Sequence, residues 1–557
     1  MHFVFDQKEF VMPEEMIAKT PNILFMMVDQ MRADYMGCSG NPWIQTPALD
    51  RLASEGTRFS QCVTPVPVCM AARHSFMTGH RCATHGRFAN NVPDPDPLHE
   101  TVMQLLGFAG YRTRAIGKMH FRPVRRHHGF HRMELMEEIP DFRQDDDYLM
   151  YLNENGYGHK REVHGVRNLL YHLPQVSVIP EEHHGSTWVA DRTIDFLRKN
   201  RDKPFFCWSS WIAPHPPWNP PEPFASMYAN EDMPLPDHWG RDVNTLPPRH
   251  RGMTNFADMG NAPTERWQRA KALYGASISL IDKGVGRILR ALDELGLAEN
   301  TLVVFTSDHG EMLGTYQMWQ KGVPFEGSVR VPLLMRLPGK FDTGVVNDDL
   351  VSLLDLMPTM LDIAEVDYPG EKALTGDSLM GREGGGLAEA RDDYVIEIGQ
   401  GTSRWLSLRG KKWKYNYWLA DGWEELYDLE TDPTEASNLL LGEVNGAHRQ
   451  RANEMHTQLT EWEREHGLPS SLDEAGQLIN LGLPPIDPIR MRTNGQFPRW
   501  VDRLPDDERA LMESKGETVV NAIQYEDTFK LEETNLKAFK EHGGSLDGTG
   551  YAQLLGE

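Results

Sequence analysis

Asn22 to Val28, read as NILFMMV, is an apolar run of strand length that stops at the polar pair Asp29-Gln30. Strands covered on both faces read this way, because neither face meets water and neither needs a polar side chain. Ligands of open α/β sheets bind just beyond the carboxyl ends of the strands, so Asp29 and Gln30 are the first candidate site residues. Working outward, residues 47–55 (PALDRLASE) place Pro47 in a first helical turn and apolar residues at helical spacing. The pattern recurs: residues 113–116, 204–211 (PFFCWSSW) and 301–306 (TLVVFT) read as strands, and 265–295 as a long amphipathic helix ahead of the last of them. Such alternation predicts an α/β fold, a large sheet flanked by helices.

Residues 351–366 read as a further helix, and 381–386 (GREGGG) as a surface connection. Composition then shifts. Residues 394–429 hold short runs rich in Trp, Tyr and Val, broken by Arg409-Gly410 and Asp421-Gly422, the signature of a small antiparallel sheet. A helix is expected over 448–465. We therefore divide the chain into residues 1–385, a catalytic α/β domain, 386–466, a small sheet with a helix, and 467–557, an extension. That extension contains Pro484, Pro485 and Pro488 and helical patterns at 508–514 and 528–540, and is too weakly apolar to fold alone.

The 557 residues are 40% hydrophobic and 25% charged, as in ordinary globular proteins. Acidic residues outnumber basic ones by 81 to 57, which argues against nucleic acid as a partner. The acidic N-terminus shows no signal peptide, and no stretch is apolar enough to span a membrane. The five cysteines (Cys38, Cys62, Cys69, Cys82, Cys207) are sparse and lack metal-finger spacing, which points to a reducing cytoplasm.

Asp29-Gln30 and Asp308-His309 follow two expected strands and offer oxygen and nitrogen ligands for a divalent cation. Taken singly, each Asp would more often cap a turn or helix. Between them lie Cys69 and Arg73, then Lys118 and His120 after another strand, His215 in a Pro-rich loop, and Lys321. The cations suit a tetrahedral anion and the imidazoles suit proton transfer.

These residues carry a resemblance. Cys69-Met70-Ala71-Ala72-Arg73, followed by Met77-Thr78-Gly79, resembles the sulfatase signature. PNILFMMVDQ, TPALDRLASEG, GYRTRAIGKMHF, YGASISLIDKGVGRIL, FTSDHGEMLG, EGSVRVPLL and ELYDLETDPTEASNLL follow in the order that sulfatases use, from residue 21 to about 440. The resemblance implies the alkaline-phosphatase-like architecture: a large mixed sheet flanked by helices, with a smaller C-terminal antiparallel sheet. It also implies that Cys69 is oxidised by a formylglycine-generating maturation enzyme. One hydroxyl of the hydrated formylglycine would attack sulfur, and deprotonation of the other would release sulfate. Ala71 and Ala72 stand where many members have Pro and Ser.

By the same resemblance Asp29, Gln30, Asp308, His309 and the modified Cys69 would hold one cation, Ca²⁺ or Mn²⁺, and Arg73 would anchor the diol. Asp-Gln and Asp-His look like the subgroup of choline sulfatases and phosphonate monoester hydrolases, where Asn90 would contact substrate. Asn90 also reads as a turn residue. Lys118 and His120 resemble the sulfatase GK-x-H motif, a sulfate-binding cation and a base, and tilt the choice toward small aryl or alkyl sulfate esters over phosphonate monoesters or phosphodiesters; choline sulfate is a further alternative. His215 and Lys321 would contact the sulfate and protonate the leaving oxygen. Glu326 and Arg330 would form a supporting ion pair. In that subgroup C-terminal extensions reach neighbouring subunits, so a homodimer or homotetramer is expected. The aromatic residues between Trp405 and Trp462 are expected to form core, and Arg125, Arg126, His127 and His128 a solvated loop.

Overall fold

Eight strands share one sheet: β1 (Asn22–Val28), β2 (Thr57–Val63), β3 (Arg112–Gly117), β4 (Arg132–Leu135), β5 (Phe205–Ser210), β6 (Thr301–Ser307), β7 (Leu333–Arg336) and β8 (Val345–Ser352). Their order is β4-β3-β5-β1-β6-β7-β2-β8. The structure, a computed structural model, describes residues 20–90, 99–140, 142–160, 163–165, 175–240 and 264–482. β1 is central and parallel to β5 and β6, and β3 is parallel to β5. β7 runs antiparallel between β6 and β2, so the sheet is mixed, as expected.

All seven residues of β1 are buried, and its period of two divides them between the faces. Leu24, Met26 and Val28 pack beneath the long helix Thr264–Glu294 and the helices Pro47–Ser54 and Gly185–Lys199. Ile23, Phe25 and Met27 pack against the helices Cys69–Thr78, Val102–Phe108 and Leu356–Ile363. Each such side chain contributes about 1.5–3 kcal/mol when fully buried. The parallel strands β1, β3, β5 and β6 end on one edge, which brings the residues that follow them side by side.

The helix expected over 351–366 is shorter. Val351 and Ser352 close β8, where Val351 pairs with Cys62, and the α-helix begins at Leu356. Ser352 caps the turn between them, its Oγ accepting from Leu354 N at 3.3 Å. β2, β7 and β8 were not expected, since they pair with strands distant in sequence, nor was β4, whose four residues are too few to show a pattern.

β9 (Asp393–Ile398), β10 (Trp405–Gly410), β11 (Trp413–Trp418) and β12 (Glu424–Asp428) form an antiparallel sheet in the order β12-β11-β10-β9. Leu406, Leu408, Tyr415 and Tyr417 face the helix Gly446–His466. Trp405 and Trp418 face Val63, Val329, Leu350 and Leu354 of the large unit, so these aromatics are core. Residues 467–482 strap back onto this sheet, with Leu478 buried and Leu481 N donating to Leu419 O at 2.8 Å. The helical patterns at 508–514 and 528–540 lie outside the described residues. No described helix is long and apolar enough to cross a membrane.

Candidate active site

Asp29 follows β1 and Asp308 and His309 follow β6, whose last residues, Val28 and Ser307, are paired, so strand pairing sets them together. Cys69 is the first residue of its helix, and Arg73 lies one turn later on the same side. Lys118 follows Gly117, whose φ of 90° and close approach to the Ser210 carbonyl leave no room for a Cβ. That turn directs the lysine inward.

Asp29, Cys69, Asp308 and His309 each offer one ligand atom, and these atoms lie within 4.8 Å of one another. Cys69 Sγ is 3.0 Å from His309 Nε2 and 3.8 Å from Asp29 Oδ1. His309 Nδ1 is 3.0 Å from Gly310 O, a contact that requires Nδ1–H and leaves the Nε2 lone pair facing the cluster. Burial holds the His309 imidazole below its ordinary range, in the neutral form that can ligate. Burial and Asp308 push the Asp29 carboxyl up, but Lys118, His215 and His309 bring it below the usual range. Burial likewise opposes ionisation of Asp308, and His309, Arg73 and Lys118 prevail. Two carboxylates and a neutral imidazole, all buried, are a donor set that fits a divalent cation.

Arg73 is held by four groups. Its Nε donates to Asp308 Oδ2 at 2.9 Å, and Nη1 donates to Lys118 O at 2.6 Å and Ser210 Oγ at 3.0 Å. Its Nη2 lies 3.9 Å from Asp29 Oδ2. Lys118 Nζ pairs with Asp29 and, at 2.6 Å, with Glu138 Oε2. His215 Nδ1 is 3.2 Å from Glu138 Oε1 and 2.7 Å from Pro216 O. Burial, followed by Lys118, holds His120 well below its ordinary range, and its buried Nδ1 has no hydrogen-bond partner among the described residues. Burial and the neighbouring Asp29 push the Cys69 thiol up to about 12, so an unmodified thiol here stays protonated.

Gln30 is differently placed from Asp29. Its φ is 69°, its amide nitrogen donates to Glu311 and its amide oxygen accepts from Lys321 Nζ. Asn90 Oδ1 accepts from Met70 N at 3.0 Å, satisfying a free amide in the first turn of the Cys69 helix. Glu326 pairs with Arg409 Nη2 at 3.1 Å and Lys414 Nζ at 2.9 Å, tying the small sheet to the large unit. Arg125 pairs with Asp147 on a partly exposed loop.

Sequence reading missed Glu137, Glu138, Ser210 and Glu311. The acidic pair Glu137-Glu138 directly after a strand would have signalled the first two, but β4 itself was missed.

A family model described as sulfatase matches residues 21–366, and one described as N-sulphoglucosamine sulphohydrolase, C-terminal, matches residues 314–465. An arylsulfatase of Clostridium perfringens is 36% identical over 452 residues, 76% of this chain and 91% of that protein. A choline-sulfatase of Rhizobium meliloti is 29% identical, over 75% of this chain and 82% of that one. Among solved structures, a phosphonate monoester hydrolase from Silicibacter pomeroyi superposes with a TM-score of 0.71 at 22% identity, covering 83% of this chain and 99% of its own. With a matching family model over more than half its length and a relative above 30% identity, the chain belongs to the sulfatase family of hydrolases.

Proposed function

We propose that this hydrolase cleaves small sulfate monoesters, aryl or alkyl sulfates, with a nucleophile made from Cys69. One observation carries the reading: Cys69 opens a helix inside a buried ring of Asp29, Asp308 and His309, with Arg73 and Lys118 bound to the same carboxylates. When present, formylglycine at position 69 would supply the nucleophile, and a divalent cation held by Asp29, Asp308 and His309 would compensate developing negative charge.

The chain's own residues supply the rest. Arg73, locked by Asp308, Ser210 and Lys118 O, orients residue 69. Lys118 and Lys321 bind sulfate oxygens as cations, and His215 or Lys321 protonates the leaving oxygen; because the His215 Nδ1–H faces Pro216 O and Glu138, its Nε2 carries a proton only in the imidazolium form, which burial opposes and Glu138 favours. His120, held neutral by burial, is the base that takes a proton from residue 69. Gln30 serves the site by fixing Lys321 and Glu311 as well as by offering an oxygen to the cation.

The Asp-Gln and Asp-His pairs support a second reading, a phosphonate monoesterase or phosphodiesterase using the same residues, and choline sulfate remains a candidate substrate. The sulfate reading is tested with matured protein by comparing kcat/KM for an aryl sulfate and an aryl phosphonate of the same leaving group. We expect the sulfate to be favoured; a large advantage for phosphonate would overturn the assignment. We further propose a cytoplasmic location, in keeping with five unpaired cysteines, a formylglycine-generating enzyme as maturation partner, and a homodimer or homotetramer built through residues 483–557.

A further inference from the structure

In the chemistry above Glu138 only orients His215, yet it also touches Lys118, a second group that performs it. Leu135 ends β4 opposite Gly117 of β3, and this parallel register carries residues 137 and 138 alongside Lys118. Glu137 turns back and accepts from the amides of Met119 and His120 at 2.8 and 2.9 Å. Glu138 turns inward. One oxygen lies 2.6 Å from Lys118 Nζ and the other 3.2 Å from His215 Nδ1, on a side chain only 10% exposed.

We propose that Glu138 is a specificity-determining residue that restricts the anion pocket to esters carrying a single negative charge. The inference rests on the sulfate-ester reading and deepens it. Lys118 already pairs with Asp29, so a second carboxylate on the same ammonium weakens its positive field and adds a negative charge beside the position where the ester oxygens bind. Repulsion scales with the charge of the ligand, in a buried site where water screens little. Sulfate monoesters carry one charge and phosphate monoesters of the same shape carry two, so the added charge penalises the phosphate more. The ligand atoms of Asp29, Glu138 and His215 also lie within 4.8 Å of one another, but the Lys118 ammonium bridges the two carboxylates and takes the place of a second cation.

The test compares methyl sulfate and methyl phosphate by titration calorimetry on the full-length protein, at a pH of about 8, where the second phosphate ionisation near 6 is complete. The parent protein should favour methyl sulfate. Glu138→Gln should shift the affinity ratio toward methyl phosphate by about tenfold, because it removes the charge and keeps the shape. Glu138→Asp, which keeps the charge, should retain the parent's ratio. Glu138→Ser stands in for the amide should that variant not fold. An unchanged ratio in the charge-free variants would overturn the inference while leaving the sulfatase reading intact. Binding of neither ester by the parent would sink both, and uptake of a second metal equivalent by the parent would assign Glu138 to a cation site instead.

Discussion

Arg73 Nε donates to Asp308 Oδ2 at 2.9 Å, a bond that ties the helix beginning at Cys69 to the end of β6. Both side chains are almost wholly buried, so neither charge has water as an alternative partner. Arg73→Met should therefore remove the charged hydrogen-bond partner of the buried Asp308 carboxylate and destabilise the protein by about 3–5 kcal/mol. The midpoint of denaturant unfolding, measured without added metal, should fall accordingly; an unchanged midpoint would remove the structural part of this arginine's role.

Chelation should abolish hydrolysis, and Mn²⁺ or Ca²⁺ should restore it. Asp308→Ala should be far more damaging than Gln30→Ala, because it removes both a ligand and a charge, whereas the Gln30 amide is engaged by Lys321 and Glu311. Metal analysis of the purified variants reads this directly. Stoichiometric metal in Asp308→Ala protein would refute the site.

Protein made alongside a formylglycine-generating enzyme should carry an aldehyde at position 69, seen in the mass of the peptide spanning it. Cys69→Ala should lower kcat by about 10³-fold or more, as removal of a nucleophile does. Full activity from an unmodified Cys69 would show that the thiol suffices.

Asp282 on the long helix accepts from the amides of Ala48 and Leu49, and burial pushes its carboxyl up to about 7. Its folded pKa thus lies above its unfolded one, so the folded state binds the proton more tightly. The contribution to stability is full below the unfolded value of about 4 and is lost as pH rises to about 7. Asp282→Asn abolishes this dependence. Relative to the parent, the variant should gain stability between these two pH values by at most about 4 kcal/mol. Parallel urea titrations across the window would show it, and a difference independent of pH would contradict the assignment.

Deleting residues 483–557 should spare the small sheet, because the cut falls beyond the strand-like strap in which Leu478 is buried and Leu481 pairs with Leu419. Light scattering should then report a smaller assembly than the full-length chain. A truncated protein of unchanged oligomeric state, or a monomeric parent, would defeat the proposed role of this extension.

Where a residue's state is set by its immediate neighbours in the chain, sequence was enough. The unbroken run of β1 required burial on both faces, the helix after Pro47 followed from its periodicity, and the turn at Asp421-Gly422 separates β11 from β12, whereas Arg409 and Gly410 close β10 and the turn they were expected to make falls at Lys411-Lys412. The positions of Asp29, Asp308 and His309 at strand ends were legible for the same reason, and the order of motifs carried the family. β2, β7 and β8 were not, because they pair with strands far away in the chain, β2 with both β7 and β8, and β4 was not, because its four residues are too few to show a pattern of their own. Glu138 depends on β4. Its one local signal, an acidic pair following a strand, is readable only once β4 is recognised, and only the parallel register of β4 on β3 delivers its carboxylate to Lys118 and His215. Likewise Gln30 looks like a simple ligand candidate in one dimension, and the fold gives it Lys321 and Glu311 as partners, since a hydrogen-bond network exists only once segments nearly three hundred residues apart have been packed together.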